Sequence, residues 1–241
     1  MMNRSVNQQF AALAVLCLAS LSMTVNANAQ GQNQAFQSPN VDPSLPHVLL
    51  IGDSISIGYT QEVRKQLAGK ANVWRPKANC GPTTRGLESI DQWLGDRKWD
   101  VIHFNFGLHD LKFMGPNNEN LADPKKDTSH QQVPIDQYAD NLKQLATRMK
   151  QAGATVIWCQ TTPVPEGAKG RVVGDSKRYN EAAEKVMTEL GGIQVDRLYD
   201  FALKHADLQR KANVHYSAKG SAKLAEQVTR SISAAFTKDT Q

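Results

Sequence analysis

Gly52-Asp53-Ser54 closes an apolar run that begins at His47 (His-Val-Leu-Leu-Ile), and a helical pattern follows a few residues later. A buried strand, a tight turn and a helix start put the Ser54 hydroxyl at the mouth of a helix N-terminus. The orphan N–H groups and dipole of such a terminus favour negative charge beside the hydroxyl. Asp53 and Ser54 are equally suited to plain helix capping, and the local residues leave both readings open. Other residues with chemistry in them are easier to assign. His103 and Asn105 alternate along Val101-Ile102-His103-Phe104-Asn105-Phe106 and read as a satisfied core pair. His47, His130 and His205 have no zinc-type spacing, and no glycine fingerprint for a phosphate is present, so neither a metal nor another cofactor is expected.

The elements that must position Ser54 alternate with some regularity. Strand-like runs are His47 to Gly52, Asn72 to Pro76, Asp100 to Gly107, Thr155 to Thr161 and Ile193 to Asp196. Helical patterns fall between and after them: Thr60 to Leu67, Leu87 to Leu94, Ile135 to Gln151, Ser176 to Leu190 and Ala218 to Phe236, the last behind Ser217 as N-cap. Leu142, Leu145, Ala146 and Met149 recur at helical spacing and give their helix one buried stripe. Alternating strands and helices predict an α/β fold, a parallel sheet covered on both faces in a three-layer α/β/α sandwich. Two connections, Leu108 to Pro134 and Pro163 to Asp175, exceed what a compact domain needs. Both leave carboxyl ends of strands, the edge where such sheets bind ligands.

Before the domain, Arg4 and an apolar stretch from Phe10 to Val25 lead to Ala27-Asn28-Ala29, the pattern of a signal peptide over residues 1–29. That stretch is shorter than the roughly 20 residues that span a bilayer. Leu16 stands before Cys17 where a lipid-anchoring signal has a small residue, so an exported chain without a stable membrane anchor is expected, in periplasm or medium. Residues 30–46, rich in Gln, Asn, Ser and Pro, read as a flexible leader. Residues 47–241 suit one domain. The formal charge is +5, or +4 without Arg4, and the basic residues are scattered with no nucleic-acid motif among them. Cys80 and Cys159 are the cysteines left after processing, and unpaired thiols are expected.

Four separated segments share one pattern: Gly52-Asp53-Ser54-Ile55-Ser56, Asn79-Cys80-Gly81-Pro82-Thr83-Thr84, Gly107-Leu108-His109-Asp110 and Val214-His215-Tyr216. Together they resemble the SGNH (GDSL-type) hydrolases, whose four blocks supply Ser, Gly, Asn and His. The resemblance implies a flavodoxin-like sheet and a carboxylic ester hydrolase with Ser54 as nucleophile and His215 as base. A serine hydroxyl attacks poorly until an imidazole takes its proton, and such a base contributes ~10²–10⁴ in rate. By the same resemblance the Ser54 and Gly81 N–H groups are oxyanion donors.

Two departures stand out. His109 replaces the asparagine of the third block, and it is assigned the same oxyanion role because a neutral imidazole still offers one N–H. The aspartate that the family has three residues before its histidine is Ala212 here. A backbone carbonyl near Ala212, the Asn213 side chain or a more distant acid such as Asp207 is left to hold the imidazole, and a Ser54–His215 dyad completed by a backbone carbonyl or an acid is expected. Asp110 matches the family's structural aspartate. Tyr59 and Trp93, near the first two blocks, are either core or the wall of a sugar site, and Arg171 is read as a solvated surface arginine. The expected function is an exported serine esterase that removes an acyl group, acetyl foremost, from a small molecule or polysaccharide. A non-catalytic carbohydrate-binding protein and an acyltransferase acting through Ser54 are the alternatives.

Overall fold

The computed structural model describes residues 34–237. The expected signal peptide, residues 1–29, lies outside them. Five strands form one parallel sheet: β1 (His47–Ile51), β2 (Asn72–Trp74), β3 (Val101–Phe104), β6 (Thr155–Cys159) and β7 (Gln194–Asp196). Their order is β2-β1-β3-β6-β7, with Leu49 of β1 beside Trp74 and Ile102. β1, β3 and β6 are buried almost throughout, as a sheet covered on both faces demands.

The helices are α1 (Ser54–Gln66), α2 (Thr83–Leu94), α3 (Ile135–Gln151), α4 (Asp175–Leu190), α5 (Leu198–Leu203) and α6 (Ala218–Phe236). α1 packs along α6 on one face, and α2, α3 and α4 lie side by side on the other. The α/β/α sandwich and flavodoxin-like strand order are therefore as expected. From β1 the chain crosses to β2 on one side and then returns to β3 on the other, so a crevice opens above the carboxyl ends of β1 and β3.

The first long connection carries structure of its own. β4 (Phe113–Met114) and β5 (His130–Gln131) pair antiparallel, and Leu111 and Val133 anchor the segment in the core. The leader also departs from expectation, since from Gln34 onward it is held against the domain. Ala35 is fully buried, and Arg64 donates to the carbonyls of Gln34 at 3.1 Å and Gln37 at 2.9 Å. Asn72 clasps the same segment by donating to the Asp42 and Leu45 carbonyls while accepting from the Asp42 N–H. Composition hides this docking because its acceptors are backbone carbonyls.

No helix among the described residues is long and apolar enough to cross a membrane. Cys80 and Cys159 are separate buried thiols. Burial raises both, Cys80 to about 11.

Candidate active site

Asp53 caps α1 by accepting from the Ile55 N–H at 2.9 Å, so Ser54 becomes the first residue of the helix. Its own N–H has no intrahelical acceptor. Glycine is required just before this turn. A Cβ on Gly52 would lie 2.7 Å from Cβ of Ser56. Beneath the turn, the buried Arg75 guanidinium donates to the Gly52 carbonyl at 3.2 Å, Ser56 Oγ at 3.1 Å and Thr60 Oγ1 at 2.9 Å. Sequence reasoning missed Arg75, which is set far from the serine and outside every recognisable block.

His215 approaches from the segment before α6. Its Nε2 lies 2.9 Å from Ser54 Oγ, which brings together two residues separated by 161 positions. The other ring nitrogen, Nδ1, lies 2.7 Å from Asn213 Oδ1. The His215 backbone N–H also donates to Asn213 Oδ1, at 2.9 Å. That backbone donor identifies the facing atom as the amide oxygen, so Nδ1 must carry the proton and Nε2 is left to accept from the serine hydroxyl. The group facing Nδ1 is therefore the Asn213 amide and not the expected backbone carbonyl or acid. Ala212, at the family's aspartate position, takes a left-handed backbone (φ 51°), and the turn is closed by Arg210 N–H donating to the His215 carbonyl at 2.9 Å. This twist lets the next side chain, rather than residue 212, reach the imidazole.

The second block is pinned to the first by Cys80 N–H donating to the Gly52 carbonyl at 3.3 Å. Gly81 has φ 64°, and a Cβ there would meet only Arg85 at ordinary contact distance. Glycine is thus needed here for its backbone conformation. The Gly81 N–H donates to Asn79 Oδ1 at 3.0 Å, so this expected oxyanion donor is engaged within its own loop. His109 is half-buried and makes no hydrogen bond among the described residues. Burial lowers its pKa, Asp53 opposes that, and Lys112, Arg171 and His215 lower it further. Burial likewise lowers His215, with Asp53 opposing and Arg210 and Arg171 adding to the effect. Both imidazoles are neutral at pH 7.

Asp110 is fully buried. Its Oδ1 accepts from the Thr83 N–H at 2.8 Å and Thr83 Oγ1 at 2.6 Å, which ties the third block to the start of α2. Burial pushes it up to about 7 against those hydrogen bonds. Of the remaining sequence candidates, His103 Nε2 pairs with Asp196 Oδ2 at 2.9 Å and Asn105 donates to the Cys159 carbonyl at 2.8 Å. Tyr59 is core, and Trp93 borders a cleft of about 540 Å³ with Trp74, Trp99 and Arg97 rather than the serine. Arg171 departs from its reading as a solvated residue, being half-buried and donating from Nε to the Leu108 carbonyl at 3.1 Å.

The family described as GDSL-like lipase/acylhydrolase matches residues 50–223. Among solved structures, a lipase/acylhydrolase from Enterococcus faecalis superposes with TM-score 0.64 at 17% identity, covering 79% of this chain and 96% of that one. The acetylxylan esterase Axe2 from Geobacillus stearothermophilus gives 0.62 at 16% identity over 78% and 94%. The acetyl xylan esterase AlAXEase gives 0.59 at 14% identity over 76% and 97%. A search of curated proteins finds no match.

Proposed function

Since the chain belongs to the GDSL-like lipase/acylhydrolase family, we propose that it is an exported serine esterase that removes acyl groups, acetyl foremost, from carbohydrate hydroxyls. The observation that carries this reading is the relay Ser54 Oγ···His215 Nε2 at 2.9 Å and His215 Nδ1···Asn213 Oδ1 at 2.7 Å. Ser54 Oγ attacks the ester carbonyl as its proton passes to His215 Nε2. The tetrahedral oxyanion is received by the Ser54 N–H at the head of α1, by the Gly81 N–H as it exchanges its Asn79 contact, and by the N–H of neutral His109. Collapse expels the alcohol, which takes the proton from His215, and leaves an acyl-enzyme on Ser54. Water then attacks the acyl carbon, giving its proton to His215, and the acid departs as Ser54 is reprotonated.

Preference for an acetylated carbohydrate is supported by the two solved neighbours titled acetyl xylan esterases and by the signal-like start of the chain. Release of acid from short-chain aryl esters and acetylated polysaccharides tests the reading. Turnover by the mature protein and its loss in Ser54→Ala support it. A folded protein that turns over no ester and resists a serine-directed phosphonate at Ser54 overturns it in favour of a binding protein. A new ester formed in place of free acid when a competing alcohol is supplied identifies an acyltransferase.

A further inference from the structure

Two cations flank His109 without a committed partner. Phe113 N–H donates to the Gly170 carbonyl at 2.8 Å and Arg171 Nε to the Leu108 carbonyl at 3.1 Å, so residues 170–171 are fastened across residues 108–113. Arg171 spends only Nε on that contact, and its two terminal nitrogens have no acceptor among the described residues. Lys112, on the strapped segment, is 8% exposed, and its ammonium has neither a hydrogen bond nor an ion pair among the described residues. The Lys112 stem is buried while its ammonium, like the Arg171 terminal nitrogens, still reaches solvent and is open to an anion that arrives there. Burial first, then Arg171, depresses Lys112, whereas burial depresses Arg171 and the Asp53 charge opposes that. The acid within reach of Lys112 is Asp110, which is itself pushed up to about 7 by burial and is committed to Thr83. At His215 the leading charge is the negative one of Asp53, with Arg210 and Arg171 opposing it. The relay itself supplies no anion, because Asn213 is neutral.

From this geometry we infer that the substrate carries an anionic group close to its scissile ester, a carboxylate or a phosphate, and that Lys112 and the free fork of Arg171 receive it. The inference rests on the esterase reading and specifies its substrate class. An arginine fork suits two-point binding of carboxylate or phosphate oxygens, and a half-buried setting preserves the attraction that open water screens. A sugar that bears both an O-acetyl group and an acidic group has this chemistry. Bound there, its charge also adds to that of Asp53 against Arg210 and Arg171 and makes the imidazole a stronger base while substrate is present.

The test is calorimetric binding to the Ser54→Ala protein, which holds an ester without cleaving it. Three ligands are compared: an acetylated methyl glycoside, its uronate counterpart and its sugar-phosphate counterpart. One charged ligand is expected to bind about 10- to 100-fold more tightly than the neutral one at low salt, with the preference shrinking as salt rises. The better of the two identifies carboxylate or phosphate. Lys112→Met keeps the apolar stem and Arg171→Gln removes the fork. In each, with thermal melting retained, the preference is expected to fall to about threefold or less. Equal binding of all three ligands at millimolar concentration, or a preference that survives both substitutions, overturns the inference. Neutral esters turned over as well as charged ones leave the esterase and remove this specificity. Anion preference without any ester turnover leaves the charged subsite and removes the esterase.

Discussion

Replacing Asn213 by alanine separates a working relay from a chance contact. Oδ1 of Asn213 accepts two hydrogen bonds from one residue, the His215 N–H at 2.9 Å and Nδ1–H at 2.7 Å. The first is the same throughout the reaction and bears on the shape of the turn. The second changes character. While the ring is neutral it is an ordinary bond, with a net contribution of about 0.5–1.5 kcal/mol, and once Nε2 takes the serine proton it becomes charge-assisted at about 1.5–3 kcal/mol. The difference, about 1–1.5 kcal/mol, corresponds to a loss of about 5- to 13-fold in kcat, with the lower end favoured because Asn213 is exposed. KM should move little. Asn213→Asp tests the same contact in the opposite sense. A carboxylate so close to the ring raises His215 by about one unit after allowance for exposure. His215 starts below its ordinary 6.5, through burial first and then the Arg210 and Arg171 charges. The native acid limb should therefore lie below pH 6.5, with activity present above it and lost as pH falls through it. In Asn213→Asp that limb should move to higher pH. Steady-state kinetics on a short-chain aryl ester from pH 4.5 to 9 reads both effects. A kcat within about twofold of native in Asn213→Ala, with the limb unmoved, refutes the relay.

His109→Ala should lower kcat by about 10²–10³, the usual cost of one oxyanion donor, while His109→Asn, which restores a side-chain N–H, should recover much of it. Unchanged turnover in His109→Ala would remove His109 from the site. Asp110 makes stability depend on pH. Its folded value of about 7 exceeds the ordinary 3.8, so the folded state holds the proton more tightly. The resulting stabilisation is complete below pH 3.8 and is lost as pH rises through about 7, by at most about 4 kcal/mol. Urea unfolding should show that decline between about pH 4 and 7 in the native protein and a flatter profile in Asp110→Asn. Cys80 and Cys159, buried and raised, should ignore a thiol-disulfide reagent in the native protein and react once it is unfolded. Rapid native labelling of either would place that thiol nearer solvent than the structure does.

The fold was legible where burial alone decides the pattern. α3 and α6 begin and end as expected because each presents a continuous apolar stripe to the sheet. α1 and α2 begin earlier than their patterns suggest, at Ser54 and Thr83 instead of Thr60 and Leu87. Their first turns hold Ser54, Ser56, Gly58, Thr83, Thr84 and Gly86, small or polar residues with weak helical preference. Distant groups hold those turns: Arg75 beneath the first, and Asp110, which accepts from the N–H of Thr83, at the second. No local pattern reports either partner. The β4–β5 hairpin was hidden for a similar reason, since two residues per strand offer no alternation to read.

At the site, residue type survived better than sequence spacing. Ser54 and His215 could be named from their blocks, but the acceptor for the imidazole could only be narrowed to three groups, since the choice depends on a backbone angle. With Ala212 at φ 51°, the turn carries residue 213 under the ring, so the acceptor moves one position along the chain and loses its charge. The consequence extends beyond the relay. An aspartate would have balanced the imidazolium and part of the Arg171 and Arg210 field, whereas an amide oxygen balances neither. In the free protein the one acid acting on His215 against Arg210 and Arg171 is Asp53, which is buried and turned to the Ile55 N–H. The departure at Ala212 thus leaves the relay without a carboxylate of its own, beside a Lys112 ammonium and an Arg171 fork that have no ion pair among the described residues. A negative group on the bound substrate would relieve both, so substrates that carry one should gain in kcat as well as in binding.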